Sequence, residues 1–282
     1  EPAGSPEEVA DDLDDITSRV ADANLDPDED AEKLQALLDA AEAFADAIEE
    51  AEEWDDLTVR EQLQARGFYE TLGEKHKDFP PEWTALKGWE KENDAEMVLL
   101  ALEKMDSDFM ERHAIEALER MGDEAAIETM LQRAERRDKP AIRVLGRIAV
   151  PNEDVVETLE EFAAEESDPG LQKVTLKALG RMGATDALQT IADQLAVENE
   201  SVRSHAARTL GLVGDTRAVD PLKNVLSDDE SDTVRASAAW ALTQIGTREA
   251  LEAAADHADD QSYLVQSEAE TAAEALKAET AA

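Results

Sequence analysis

Five stretches of this chain lie over one another in register, which restricts its fold more than any single residue does. Superposing Met110–Gly122, Arg137–Ala149, Leu171–Gly183, Val202–Gly214 and Val234–Gly246 aligns Leu118, Leu145, Leu179, Leu210 and Leu242, at intervals of 27, 34, 31 and 32 residues. Four of the five place glycine four residues after that leucine, at Gly122, Gly183, Gly214 and Gly246; Ala149 alone departs. Glycine there suits a helix end, because it takes the left-handed conformation that turns the chain into a next helix.

A second apolar face follows each turn in constant register: Ala126, Ile127 and Met130; Ala187, Leu188 and Ile191; Ala218, Val219 and Leu222; Ala250, Leu251 and Ala254. One helix pair cannot bury such faces alone, whereas stacked pairs share a continuous core. The expectation is an all-α, α-α superhelical solenoid. A terminal helix bearing Leu264, Ala269, Ala272, Ala273 and Leu276 is expected to cap it.

Two units, Ser201–Asp215 (SVRSHAARTLGLVGD) and Thr233–Gly246 (TVRASAAWALTQIG), resemble HEAT repeats of the phycobilin-lyase type. The resemblance covers roughly residues 94–282 and is weak around Pro140, where the first helix should be short. It implies that the Arg after the Val and the Asp after the Gly form a polar ladder between repeats, here Arg203, Arg235, Asp123 and Asp215. It also admits a bilin-lyase-like enzyme or a cofactor-holding accessory protein, and, among haloarchaeal repeat proteins, an adaptor between taxis signalling and the swimming motor. A repeat does not carry its function with it, so these stand beside a non-enzymatic protein-interaction scaffold.

Charge narrows the partners. With 69 Asp and Glu against 27 Lys and Arg among 282 residues, the net charge is −42. Nucleic acid, an anionic membrane and a polyphosphate substrate would all meet a like-charged field, so neither nucleic acid nor membrane is an expected partner. Such a surface resembles that of salt-in halophilic archaea. At molar salt the Debye length is about 3 Å, so crowded carboxylates stop repelling and keep the protein hydrated. Zero cysteines exclude disulfides and thiolate sites. No apolar run approaches the roughly 20 residues of a membrane span and no signal-peptide pattern is present, leaving cytoplasm as the default location. The chain begins at Glu1 rather than Met, which leaves open whether residues precede it.

Three segments follow: an acidic helical region (1–56), an aromatic-rich joint (57–93) and the repeats (94–282). The first holds 22 acids and two bases, with Asp11, Asp12, Asp14 and Asp15 in one block. Its apolar stripes, Val9, Leu13, Ile16 and Val20, then Leu34, Leu37, Leu38, Ala41, Phe44, Ala45 and Ile48, mark two amphipathic helices. Its charge also admits an acidic decoy that mimics nucleic acid. Trp54, Phe68, Tyr69, Phe79, Trp83 and Trp89 either seal these helices onto the repeats or anchor a protein partner.

No catalytic, metal or cofactor motif emerges. His76, His113, His205 and His257 are scattered, and Asp26, Asp28 and Asp30 imitate an EF-hand start, but Ala31 stands where the loop needs Gly and Leu37 where it needs Glu. One feature opposes the overall sign. Residues 131–147 hold six bases and two acids. Arg143, Lys177, Arg208 and Trp240 lie two before the aligned Leu, and Arg120, Arg147 and Arg181 two after it. Both positions face about 160° from the core, giving one exposed stripe across stacked repeats. Either these bases pair with neighbouring acids, or they dock a protein partner that is itself acidic and halophilic.

Overall fold

The computed structural model of the chain describes residues 16–20, 30–50, 57–72, 80–165 and 167–281, and every regular element among them is a helix. The chain divides into two compact units, Glu1–Glu70 and Thr71–Ala282. The division falls inside the aromatic stretch: Phe68 and Tyr69 belong to the first unit, Trp83 and Trp89 to the second.

In the first unit residues 16–20 are helical, followed by α1 (Ala31–Glu50) and α2 (Val59–Ala65). A reciprocal cap starts α2: the Glu61 amide donates to Thr58 Oγ1 and the Thr58 amide to the Glu61 carboxylate. Ile16, Val20, Leu37 and Leu38 are exposed, and Leu63 and Phe68 are buried. Val9, Leu13, the Asp11–Asp15 block, Trp54, His76 and Phe79 lie outside the described residues, as do the side chains of Phe44, Ala45 and Ile48.

The second unit opens with α3 (Pro81–Glu92) and α4 (Ala95–Lys104). Paired helices follow. The leading helices are α5 (Asp108–Met121), α7 (Lys139–Ile148), α9 (Pro169–Met182), α11 (Glu200–Val213) and α13 (Asp232–Ile245). The trailing ones are α6 (Ile127–Ala134), α8 (Glu153–Ala164), α10 (Leu188–Asp193), α12 (Val219–Asp228) and α14 (Arg248–Ala255), and α15 (Tyr263–Ala281) ends the chain. Leading helices pack side by side in chain order, α5 on α7, α7 on α9, α9 on α11 and α11 on α13, with α15 against α13 and α14. Each repeat buries its aligned leucine, none more than 1% exposed. Of the second-helix residues predicted to be apolar contacts, all but Ile127 are buried.

Every leading helix ends in the left-handed region: φ is 66° at Gly122, 63° at Gly183, 73° at Gly214 and 70° at Gly246. Ala149 does the same with φ 60°, so the packed repeat imposes this turn even where a Cβ opposes it, by about 1–2 kcal/mol. Pro140, on the first turn of α7, leaves that helix 10 residues long where the other leading helices have 14.

Neighbouring leading helices approach closely through glycine. A Cβ on Gly146 would lie 2.8 Å from Ala178 Cα, and one on Gly211 2.7 Å from Ala241 Cα. Ser204 and Ser237 share a hydrogen bond of 2.9 Å across the same α11–α13 contact, and between α9 and α11 Thr209 donates to the Leu176 carbonyl at 3.0 Å. In α15 the buried face is Val265, Ala269 and Ala272, while Leu264 is exposed. Ala269 and Ala272 are buried as the sequence pattern expects, Ala273 and Leu276 are half-buried, and Val265 rather than Leu264 fills the first position of the face.

Candidate functional site

Side-by-side packing of the leading helices sets their exposed faces beside one another, and it is there that the basic stripe lies. Arg120, Arg143, Arg147, Lys177, Arg181 and Arg208 are exposed, and Trp240 is half-buried. They are not equivalent. Arg120 donates to Glu90 and reaches Glu116 at 3.9 Å, tying α5 back to α3. Burial pushes the Glu90 carboxyl up, but the bonds from Arg120 and Lys87 outweigh it and leave its pKa below the ordinary value. Arg143 meets Glu119 at 3.5 Å. Arg208 lies over the Trp240 ring, 5.1 Å from its centroid, a cation–π contact joining α11 to α13.

Arg147, Lys177 and Arg181 form no ion pair among the described residues, and neither does Lys173 one turn before Lys177. Elsewhere acids are used freely: Arg133 meets Glu111 at 2.6 Å, Arg137 meets Glu165 at 2.8 Å and Lys223 meets Glu249 at 3.0 Å. Four of the described cations without an ion pair lie here, Arg147 on α7 and Lys173, Lys177 and Arg181 on α9; Lys91, Arg112, Arg136 and Arg208 form none either.

Extending the stripe one turn toward the helix starts adds Lys139 and Lys173, six residues before Leu145 and Leu179. Each of α7 and α9 then carries three cations at four-residue steps: Lys139, Arg143 and Arg147, and Lys173, Lys177 and Arg181. Like charges at that spacing oppose the helix by a few tenths of a kcal/mol per pair, so the four pairs cost roughly 1–2 kcal/mol together. Charge balance would remove this cost, not create it. Lys173 escaped sequence reasoning because the stripe was followed only two residues either side of each leucine; Lys139 was counted among the bases of 131–147 and His205 among the scattered histidines, but neither was placed on this face, and exposed Leu212, two residues after Leu210, was passed over because only the charged members of that column were followed.

Two adjoining depressions lie on this face. One, of about 320 Å³ between α7 and α9, is lined by Lys139, Arg143, Lys173, Lys177, Arg181 and His205, with Glu119 its sole carboxylate and Gly146 and Gly170 in its wall. The other, of about 410 Å³, is lined by Glu116, Glu119, Arg120, Arg147 and Arg181. Arg181 belongs to both. The stripe members Arg120, Arg143, Arg147, Lys177 and Arg181 therefore come together, while Arg208 and Trp240 pair beyond them. By contrast, a depression beside α8 is walled by Glu153, Glu157, Glu160 and Asp186.

Between repeats run two half-buried clamps. Arg203 grips Asp229 with two bonds of 2.7 and 3.0 Å and also donates to the Val197 and Glu198 carbonyls. Arg235 repeats this on Asp260, at 3.1 and 2.9 Å, and on the Asp229 and Glu230 carbonyls. The same position in α9 holds the uncharged Gln172, bonded to Gln194 at 3.0 Å. Burial raises the Asp229 pKa but the Arg203 bonds outweigh it; at Asp260 the Arg235 bond leads, and both carboxyls sit below the ordinary range. Asp123 and Asp215 do not meet these arginines: they accept the Ala125 and Arg217 amides and start the following turn.

Of the predicted aromatic group, Phe68 is buried and edge-on to Tyr69 at 5.4 Å, and Trp83 and Trp89 are half-buried on α3. His113, His205 and His257 each engage the backbone carbonyl four residues earlier, through Nδ1. No group of three or more His, Asp or Glu suited to a metal occurs among the described residues, and no described helix is long and apolar enough to cross a membrane.

Fold and surface together define an all-α helical-repeat protein with a polar, basic face. The family model described as HEAT repeats matches residues 193–276. No curated protein matches the sequence. Among solved structures, human deoxyhypusine hydroxylase in complex with glycerol is similar at 19% identity, covering 78% of this chain and 97% of its own, with a TM-score of 0.41. The complex of CpcE and CpcF of phycocyanin lyase from a Nostoc species is similar at 19% identity, covering 72% and 91%, with a TM-score of 0.41. A designed armadillo repeat protein shows 17% identity, 75% and 98% coverage, and a TM-score of 0.36. At these values the likenesses bear on neither activity nor partner.

Proposed function

We propose that the repeat unit is a non-enzymatic docking platform, adapted to high salt, that takes an acidic protein partner on the outer face of α7, α9 and α11. One observation carries this: unpaired cations gather on that face in a chain that has acids to spare. Trp240, stacked on Arg208, and exposed Leu212 extend the basic face with an apolar end, where an interface gains most of its energy. The free arginines suit carboxylates, which they bind in a planar two-bond geometry.

Affinity capture in molar KCl from the native host, with mass spectrometry, tests this. The quadruple variant Arg143→Glu, Arg147→Glu, Lys177→Glu, Arg181→Glu should lose the captured partner while its helical melt stays close to the wild type. Identical capture by both proteins would reduce the stripe to charge balance.

A further inference from the structure

The depression between α7 and α9 holds more positive charge than a carboxylate partner needs. Five cations line it against Glu119 alone. Lys139 is drawn to Asp168 at 2.8 Å and Arg143 to Glu119 at 3.5 Å, leaving Lys173, Lys177 and Arg181 unpaired among the described residues. These three stand on successive turns of α9, about 6 Å apart along the axis, and face Arg143 and Lys139 across the groove. Gly170 leaves room in its wall beside Lys139: a Cβ there would come 3.0 Å from Lys139 Nζ. His205 Nδ1 is spent on the Ser201 carbonyl at 2.7 Å, so Nε2 is the ring nitrogen left for a ligand.

Resting on the docking reading, we infer that this depression is the anchor subsite of the platform and takes a phosphoryl group borne on a side chain of the docked partner. A carboxylate would bring one negative charge and two acceptor oxygens. A phosphorylated serine brings close to two charges and three oxygens, which match three free cations on one helix with two more opposite. The −42 of the whole molecule does not forbid this, because at about 0.1 M salt charges beyond roughly 10 Å are largely screened and the ligand meets the local +3 that the two pairings leave. The geometry is that of a recognition cluster, and no bond is made or broken.

The test uses the full chain and three synthetic, end-capped peptides with the same acidic flanks, Asp-Asp-X-Asp-Asp, in which X is phosphoserine, aspartate or serine. Titration calorimetry is run in KCl held just high enough for a native far-ultraviolet spectrum. The phosphoserine peptide should bind at least about tenfold more tightly than the aspartate one, and inorganic phosphate should displace it. Lys173→Gln with Lys177→Gln should erase that preference, whereas Lys223→Gln, whose lysine is paired with Glu249 elsewhere, should keep it. Equal affinity for the phosphoserine and aspartate peptides, or a preference surviving in the double variant, overturns the phosphoryl assignment. Neither result touches the docking reading, which stands or falls on partner capture by the charge-reversed protein.

Discussion

Gly211→Ala is the sharpest probe of the packing that lines up the basic face. Inside an isolated helix this change gains about 0.5–1 kcal/mol, because alanine loses less backbone freedom. In α11 the new methyl would lie 2.7 Å from Ala241 Cα, 2.9 Å from its Cβ and 3.0 Å from Trp240 Cζ3. Backbone cannot swing aside as a lysine tip can, so α11 and α13 must separate. Overpacking of this kind costs about 1–3 kcal/mol, leaving a net loss near 1–2 kcal/mol after the propensity gain. In a repeat unit of this size that is a fall of about 2–8 °C in melting temperature. Gly170→Ala is the control: its close neighbours are the Lys139 Nζ and Asp168 Oδ1 side-chain ends, which can move. Thermal melts followed by circular dichroism should drop for Gly211→Ala and hold or rise for Gly170→Ala. A rise of equal size in both would refute the close approach.

The half-buried clamps predict a pH signature. Asp229→Asn should cost about 1.5–3 kcal/mol at pH 7 by urea unfolding, since it weakens bonds to a charged guanidinium. The folded carboxyl titrates below its unfolded value of about 4, so its contribution is complete above that pH and fades as the pH drops through the lowered folded value. The wild-type advantage should therefore shrink at pH 3; an advantage that persists unchanged would show that charge plays no part. On the proposal of high-salt adaptation, the melting temperature should climb steeply between about 0.1 M and 1 M KCl as screening shortens toward 3 Å. A flat response removes the halophilic reading.

Periodicity was legible because burial repeats with it: the leucine column and the turn after it recur wherever a leading helix packs between two neighbours. Even Ala149, the exception in sequence, turns as its glycine counterparts do. What the sequence could not show was which charges meet. Arg120 finds Glu90 from 30 residues away, on a helix outside the aligned repeats. The ladder carboxylates are Asp229 and Asp260, in the loop ahead of the next leading helix, rather than the Asp after each Gly. That choice follows from the reach of a guanidinium across the stack, which no spacing within one unit encodes. Likewise Lys139 and Lys173 share a face with the stripe, yet only the groove between α7 and α9 shows that they converge. The apolar stripe of α1 was visible, but its Leu37 and Leu38 are exposed in the structure.

The two clamps reach 26 and 25 residues forward. α11 and α13 therefore need only the loop before the next helix to close their arginines, never a distant part of the chain. On a ribosome, Arg203 could be locked onto Asp229 while α15 is still being synthesised. Assembly can then proceed in the direction of synthesis, each repeat serving as the template on which the next one settles.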